Sequence, residues 1–253
     1  MTRCNADRNA DASPADRQSR RPPLPRRRSS PRSRAGLSFA AAWVALAVGL
    51  VGIGVARNAS AETETLVFVR HGEKPAQGDG QLDCQGLNRA LALPAVVAAK
   101  FGKPDAIYAP NPSVRKTDDG VSYDYVRPLA TIEPTAIQFA LPVDTTYGYA
   151  QIDALAHELV KPANAGKLIV TAWEHHEIEA LVRSLMNGYG GAKQDVPHWR
   201  SRDFDSMYVV KLDWDAHGQA PRATFVLDHE GLDGRSKDCP CAALPDAPAP
   251  ASR

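Results

Sequence analysis

Two apolar periods alternate along the chain between residues 66 and 227. The run Leu66-Val67-Phe68-Val69 is continuous and partly β-branched, which predicts a buried strand over 66–70. Residues 86–101 place Leu87, Leu91 and Val97 at helical spacing, and Gly102 with a proline two residues on supplies a stop, so a helix is expected there. A short strand follows at 106–109, and the polar, turn-rich stretch 111–125 reads as a loop. Residues 127–139 form a second helix with Pro128 in its first turn and Pro134 limiting or kinking it. A helix at 152–160, a strand at 167–172 and a helix at 178–186 come next. Two closing strands, 206–213 and 222–227, flank a turn at 215–220. Strand and helix alternate through most of this region, which predicts an α/β fold with a mainly parallel sheet covered by helices on both faces, a three-layer αβα sandwich.

The segment before this pattern is of another kind. Residues 1–35 hold ten arginines, three aspartates and almost no large apolar side chains, so they are expected to stay disordered. Residues 36–56 are 21 uncharged positions rich in Ala, Val, Leu and Gly, followed by Ala59-Ser60-Ala61, a small-x-small cleavage pattern. Together, residues 36–61 read as a secretory signal, which places the remainder in the periplasm or outside the cell. The alternative is an uncleaved anchor, because 21 apolar residues suffice to span a bilayer; contact with the membrane is expected only through that segment. The folded domain is then 62–234, with a Pro/Ala-rich tail over 235–253.

Charge narrows the partners. The whole chain carries +1, but residues 62–253 hold 19 Lys plus Arg against 26 Asp plus Glu, a net of −7. An acidic domain argues against nucleic-acid binding, and any anion site in it must be a local cluster of cations. Cys84, Cys239 and Cys241 remain after the leader, and in an oxidising compartment a bridge from Cys84 to either of the others is expected.

Chemistry concentrates where strands end. Arg70, His71, Gly72 and Glu73 follow the first strand directly, and His175-His176 follow the strand at 167–172. In a parallel sheet these ends share one rim, so two imidazoles would face one crevice. Arginine offers a permanently charged fork of donors, and a neutral imidazole is a competent nucleophile at neutral pH, a pairing suited to phosphate.

Four ordered motifs between about residues 64 and 186 resemble those of the histidine phosphatase superfamily, the phosphoglycerate mutase-like group. They are Arg70-His71-Gly72-Glu73; the stretch from Leu82 to Ala90 with its leucine, glycine and alanine pattern; Arg127 with Thr131 four residues on; and the strand at 168–172 running through Trp173-Glu174 into His175. The resemblance implies a phosphoglycerate mutase-like fold and hydrolysis of small phosphomonoesters with no cofactor and no metal. It implies His71 as the nucleophile that becomes a phosphohistidine, and Arg70, Arg127 and His175 as ligands of the phosphoryl oxygens. Asp144 and Glu73 are the candidate proton donors for the leaving group, beside Glu133, Glu174 and Glu177.

The chain departs from the pattern in places. Eighteen positions separate Ala109 from Arg127, and this insertion carries Arg115, Lys116, Tyr123 and Tyr125, which either line the pocket or lie exposed. Arg115 is an alternative to Arg127, and His176 to His175. Two other functional classes stay open: a silent phosphate-binding or scaffolding domain of the same fold, and a metal hydrolase built on His71, His175, His176 and Glu177. The second is disfavoured because adjacent histidines on a strand point apart.

Overall fold

The structure is a computed structural model that describes residues 61–118, 120–215 and 221–240. The basic leader, the apolar segment 36–56, Ala59 and Ser60 of the cleavage pattern, His217, Cys241 and the tail beyond it lie outside the described residues.

The main sheet has six strands: β1 (Glu62–Arg70), β2 (Ala106–Tyr108), β5 (Val143–Asp144), β6 (Leu168–Trp173), β7 (Ser206–Trp214) and β8 (Arg222–His229), in the spatial order β5-β2-β6-β1-β7-β8. From β5 to β1 the pairing is parallel, while β7 is antiparallel to both β1 and β8. The four helices are α1 (Cys84–Lys100), α2 (Arg127–Phe139), α3 (Ile152–Leu159) and α4 (His175–Gly188). This is the mainly parallel, helix-covered α/β architecture that the alternation of periods predicts.

The continuous apolar run of β1 is explained by burial on both faces. Leu66 and Phe68 pack with Leu155 and Leu159 of α3 and Ile178, Leu181 and Leu185 of α4. Val67 and Val69 pack the other way, against Leu93 and Val97 of α1 and Ile132 and Ala136 of α2. A strand with alternate side chains in two cores has no polar face to show, so its periodicity disappears from the sequence.

Three departures from the sequence reading matter for the site. The stretch 111–125 is not a plain loop: β3 (Arg115–Asp118) and β4 (Val121–Asp124) pair as an antiparallel hairpin. The two-residue strand β5 adds an edge beyond β2. Helix α4 begins at His175, three residues earlier than its apolar spacing indicates, because the Glu174 carboxylate caps it by accepting from the amides of His176 and Glu177 at 2.8 and 3.1 Å.

Strand direction sets the position of the site. Because β7 runs against β1, with Val69 opposite Met207, it starts at the rim where the parallel strands end. The segment leading into it therefore crosses that rim and delivers Ser201, Asp203 and Phe204 beside Arg70.

Candidate active site

Two glycines bring the first two motifs together. A Cβ on Gly72 would sit 3.0 Å from the Cα of Gly86, and one on Gly86 would strike the backbone of Glu73, so the junction after β1 and the first turn of α1 touch through bare backbone. The third motif locks on from the side. Gly72 N–H donates to Thr131 Oγ1 at 2.9 Å, and that hydroxyl donates to the Arg127 carbonyl at 2.8 Å. The four-residue step from Arg127 to Thr131 is thus one helical turn that ties the second arginine to the residue after His71. The fourth motif closes the set, since His71 N–H donates to the Trp173 carbonyl at 3.0 Å.

Arg70, His71, Arg127 and His175 consequently line one cavity of about 320 Å³, joined there by Lys74, Lys116, Asp118, Glu174, His176 and Ser201. A larger groove of about 550 Å³ runs along β2 and β5, but it gathers no cations and lies away from both histidines. The smaller cavity holds the chemistry. Four cationic side chains face two carboxylates in it, so the acidic domain has a locally positive pocket.

His71 is 2% exposed, and its Nδ1 lies 2.8 Å from the Gly72 carbonyl. A carbonyl only accepts, so Nδ1 carries the proton and Nε2 keeps the lone pair. Burial, and then the charges of Arg127 and Arg70, push the imidazole pKa down to about 3, while the Gly72 bond opposes the shift. The ring is therefore neutral at neutral pH. Tyr125 meets it edge-on at 6.2 Å between centroids and Phe204 at 6.1 Å, which fixes its plane.

The arginines are held by part of their forks. Arg70 Nη1 donates to the carbonyls of Ser201 and Asp203, each at 2.8 Å, and its guanidinium lies 3.9 Å over the Phe204 ring. Burial lowers its pKa to about 10 without removing its charge near neutrality. Arg127 donates from Nη2 to Asp118 at 3.0 Å and from Nη1 to the Gly78 carbonyl at 3.2 Å. The Nε atoms of both arginines are buried without a hydrogen-bond partner. Buried donors left unpaired are costly, which marks a space made for an acceptor-rich anion.

Glu174 orders the second histidine. Its Oε1 lies 2.6 Å from His175 Nδ1. Burial works to raise the Glu174 pKa, but the His175 contact, the Lys116 charge and the Glu177 amide together hold the carboxyl down at about 2. Burial pushes the His175 pKa below its ordinary value as well, so this ring too is neutral near pH 7. The rings of His175 and His176 lie 4.0 Å apart instead of pointing away, because both belong to the first turn of α4. Glu174, His175 and His176 each bring one ligand atom within 4.8 Å of the others, a spacing a divalent cation would need.

Of the candidate proton donors Glu174 lines the cavity, while Asp144 and Glu73 fall elsewhere. Asp144 sits on edge strand β5, exposed, with its carboxylate accepting from the Thr146 amide at 2.8 Å, and does not line the cavity. Glu73 is bound by both oxygens to the buried Arg89, at 2.8 and 3.0 Å. Arg115 is exposed on the hairpin, bonded to Ser122 and Asp124, and cannot stand in for Arg127. Beside Glu174, the carboxylate that faces the cavity is Asp118, a residue the sequence did not single out. It pairs with Arg127, receives the Tyr123 hydroxyl, and lies 3.5 Å from Lys74. The hairpin delivers Lys116 as well, 5.3 and 5.2 Å from the rings of Tyr125 and Tyr149. Cys84 is bridged to Cys239.

No family model matches this chain, and no curated protein matches it. Solved structures do. A putative phosphohistidine phosphatase SixA from Nakamurella multipartitia is 17% identical, with 66% of this chain and 96% of that one covered at a TM-score of 0.44. The mycobacterial glucosyl-3-phosphoglycerate phosphatase is 18% identical over 66% of this chain and 98% of its own, at 0.45. A phosphoglycerate mutase from Plasmodium falciparum is 15% identical over 68% and 92%, at 0.41.

Proposed function

We propose that the chain is an exported histidine phosphatase that hydrolyses small phosphomonoesters through a phosphohistidine on His71, without a metal. One observation carries the reading: a neutral imidazole with a free Nε2 shares a cavity with unpaired buried donors on Arg70 and Arg127. In the first step Nε2 attacks phosphorus and the bond to the ester oxygen breaks, the freed oxygen taking a proton. In the second, water attacks phosphorus, the P–N bond breaks, and inorganic phosphate leaves. Preorganised donors aimed at the phosphoryl oxygens stabilise both transition states, and losing one such group costs about 10²–10³ in rate.

Asp118 is the proposed proton source for the leaving oxygen. Burial works to raise its pKa, but the Tyr123 hydroxyl and then Arg127 together with the nearby lysines hold it below its ordinary value. A phosphoryl group on Arg127 would take up that positive charge and bring negative charge beside the carboxylate, which raises the proton affinity of Asp118 when a donor is needed. Glu174 is unsuited, because it is committed to capping α4 and orienting His175.

The metal reading gains the spacing of Glu174, His175 and His176, but four cationic side chains in the same cavity oppose a divalent ion. The cations also supply the charge that a metal would otherwise bring. Export is supported by the Cys84–Cys239 bridge, which belongs to an oxidising compartment.

The deciding experiment incubates the full chain with a 32P-labelled phosphomonoester, quenches it, and looks for acid-labile label on the protein. Wild type is expected to carry label and turn over equally with and without chelator, and His71→Ala to do neither. Turnover with no trapped label rejects the nucleophile; phosphate binding with no turnover identifies a silent domain; loss of turnover on chelation restores the metal.

A further inference from the structure

Of the four cationic side chains that line the catalytic cavity, three are engaged by protein oxygens. Arg70 donates to the carbonyls of Ser201 and Asp203, Arg127 donates to Asp118, and Lys74 lies 3.5 Å from that same carboxylate. Lys116 is the exception: among the described residues, no oxygen accepts from its Nζ and no carboxylate stands within ion-pair distance of it. An ammonium carries three strong donors and no acceptor, so charged N–H groups stand open in a cavity that also holds an unpaired donor on each arginine.

The hairpin places this ammonium. Side chains alternate along β3: Arg115 and Thr117 are exposed, while Lys116 and Asp118 are half-buried and both line the cavity. Lys116 stands across the hairpin from the buried Tyr123. Its Nζ lies 5.3 Å from the Tyr125 ring and 5.2 Å from the Tyr149 ring, two rings that meet edge-on, so cation–π attraction holds it. Both rings are themselves anchored. Tyr125 is fully buried, and the Tyr149 carbonyl accepts from Trp173 Nε1 at 2.7 Å, at the end of β6. The Lys116 charge helps keep Glu174 and Asp118 ionised. Glu174 orders His175 and Asp118 pairs with Arg127, so a cation within reach of both carboxylates stands beside the space that His175 and Arg127 enclose.

We propose that Lys116 is a further catalytic residue, whose ammonium donates to a phosphoryl oxygen and stabilises the charge that builds on the transferring group. The proposal rests on the phosphatase reading. It gives the hairpin a role on the phosphoryl side of the reaction, where the arginines act, beside the proton that Asp118 supplies to the leaving side. A ligand of the phosphoryl group serves every ester alike, whereas a proton donor serves only those whose leaving oxygen needs a proton.

The test uses the full chain, an alkyl phosphate, 4-nitrophenyl phosphate, and inorganic phosphate as the calorimetric probe. Lys116→Met keeps an unbranched stem over the two tyrosines and removes the charge, while Lys116→Arg keeps the charge. Lys116→Met is expected to lower kcat/KM about tenfold on both esters and to raise the Kd for phosphate about tenfold, the lower end for one charge-assisted hydrogen bond. Its urea midpoint is expected to match wild type, and Lys116→Arg to recover most of each loss. A phosphate Kd unchanged in Lys116→Met, or a loss confined to the alkyl ester, overturns the proposal. A lowered urea midpoint with no recovery in Lys116→Arg overturns it as well, since the side chain would then only hold the hairpin. If wild type hydrolyses neither ester, the phosphatase reading has failed separately, and the phosphate Kd of wild type against Lys116→Met decides whether the ammonium holds a phosphoryl oxygen.

Discussion

His71 is the side chain whose state most constrains the chemistry. With its pKa pushed down to about 3 by burial and two guanidinium groups, the ring stays neutral from that pH upward, where an ordinary histidine would protonate below about 6.5. An NMR titration of its Cε1–H is therefore expected to show no midpoint between pH 5 and 8; a midpoint near 6.5 would remove the basis for a nucleophile free of proton control. Asp118 makes a different demand. Asp118→Asn is expected to lower kcat about 10²-fold on an alkyl phosphate, whose oxygen needs a proton as it leaves, and to leave 4-nitrophenyl phosphate within a few-fold. Equal losses on both would show that Asp118 only holds Arg127 in place. Arg70, His71, Arg127 and His175 were legible in the sequence because each follows directly on a strand end or opens a helix, and local pattern fixes those points. Asp118 was not, since its place depends on hairpin pairing that puts it across from Val121 and within reach of Arg127. Glu73 misled for the converse reason: nothing local shows that Arg89, sixteen residues on, also gathers Asp205, Glu230 and Asp233 from far along the chain.

At the scale of elements, strong periodicity and clear stop signals made the helices and long strands readable, and weak pattern hid the rest. The hairpin strands Arg115–Asp118 and Val121–Asp124 are four residues each and mostly polar, so they show no apolar run. They are organised by Tyr123 and Tyr125 packing beneath, with Tyr125 fully buried. The start of α4 was missed because glutamate is an uncommon N-cap, chosen here for its hold on His175. The end of α2 carries a measurable strain. Ala140 closes it at φ 54°, a left-handed conformation that glycine adopts more readily, with its amide bonded back to Ala136 and Ile137. Ala140→Gly is expected to stabilise the domain by about 0.5–1 kcal/mol in urea unfolding, since relief of the Cβ clash outweighs the added freedom of the unfolded chain. A destabilised variant would mean the alanine methyl packs to better effect than its exposure indicates.

Across the whole molecule, the acidic groups that do not face the site still govern stability. Glu64 is fully buried in β1, with one oxygen accepting from Trp214 Nε1 at 2.9 Å and the other unpaired. Burial pushes its pKa up to about 8, against the smaller effects of Trp214 and Lys167. A folded pKa above the unfolded one means stability is full below about pH 4.5 and falls as pH rises toward 8. Glu64→Gln, which keeps the acceptor for Trp214, is expected to match wild type at pH 5 and to exceed it by on the order of 2 kcal/mol at pH 9 in urea unfolding. Glu230 is pushed the same way by burial, so the variant should retain part of the slope. The topology carries a temporal consequence. β1 leads directly into His71 and leaves the ribosome before the other described strands, yet one neighbour, β6, begins at Leu168 and the other, β7, at Ser206. A growing polypeptide cannot give that strand both its partners until Ser206–Trp214 has been made, and contacts so distant in sequence form slowly. A product that stops short of β7 leaves the apolar run of β1 unpaired on one edge and open to aggregation.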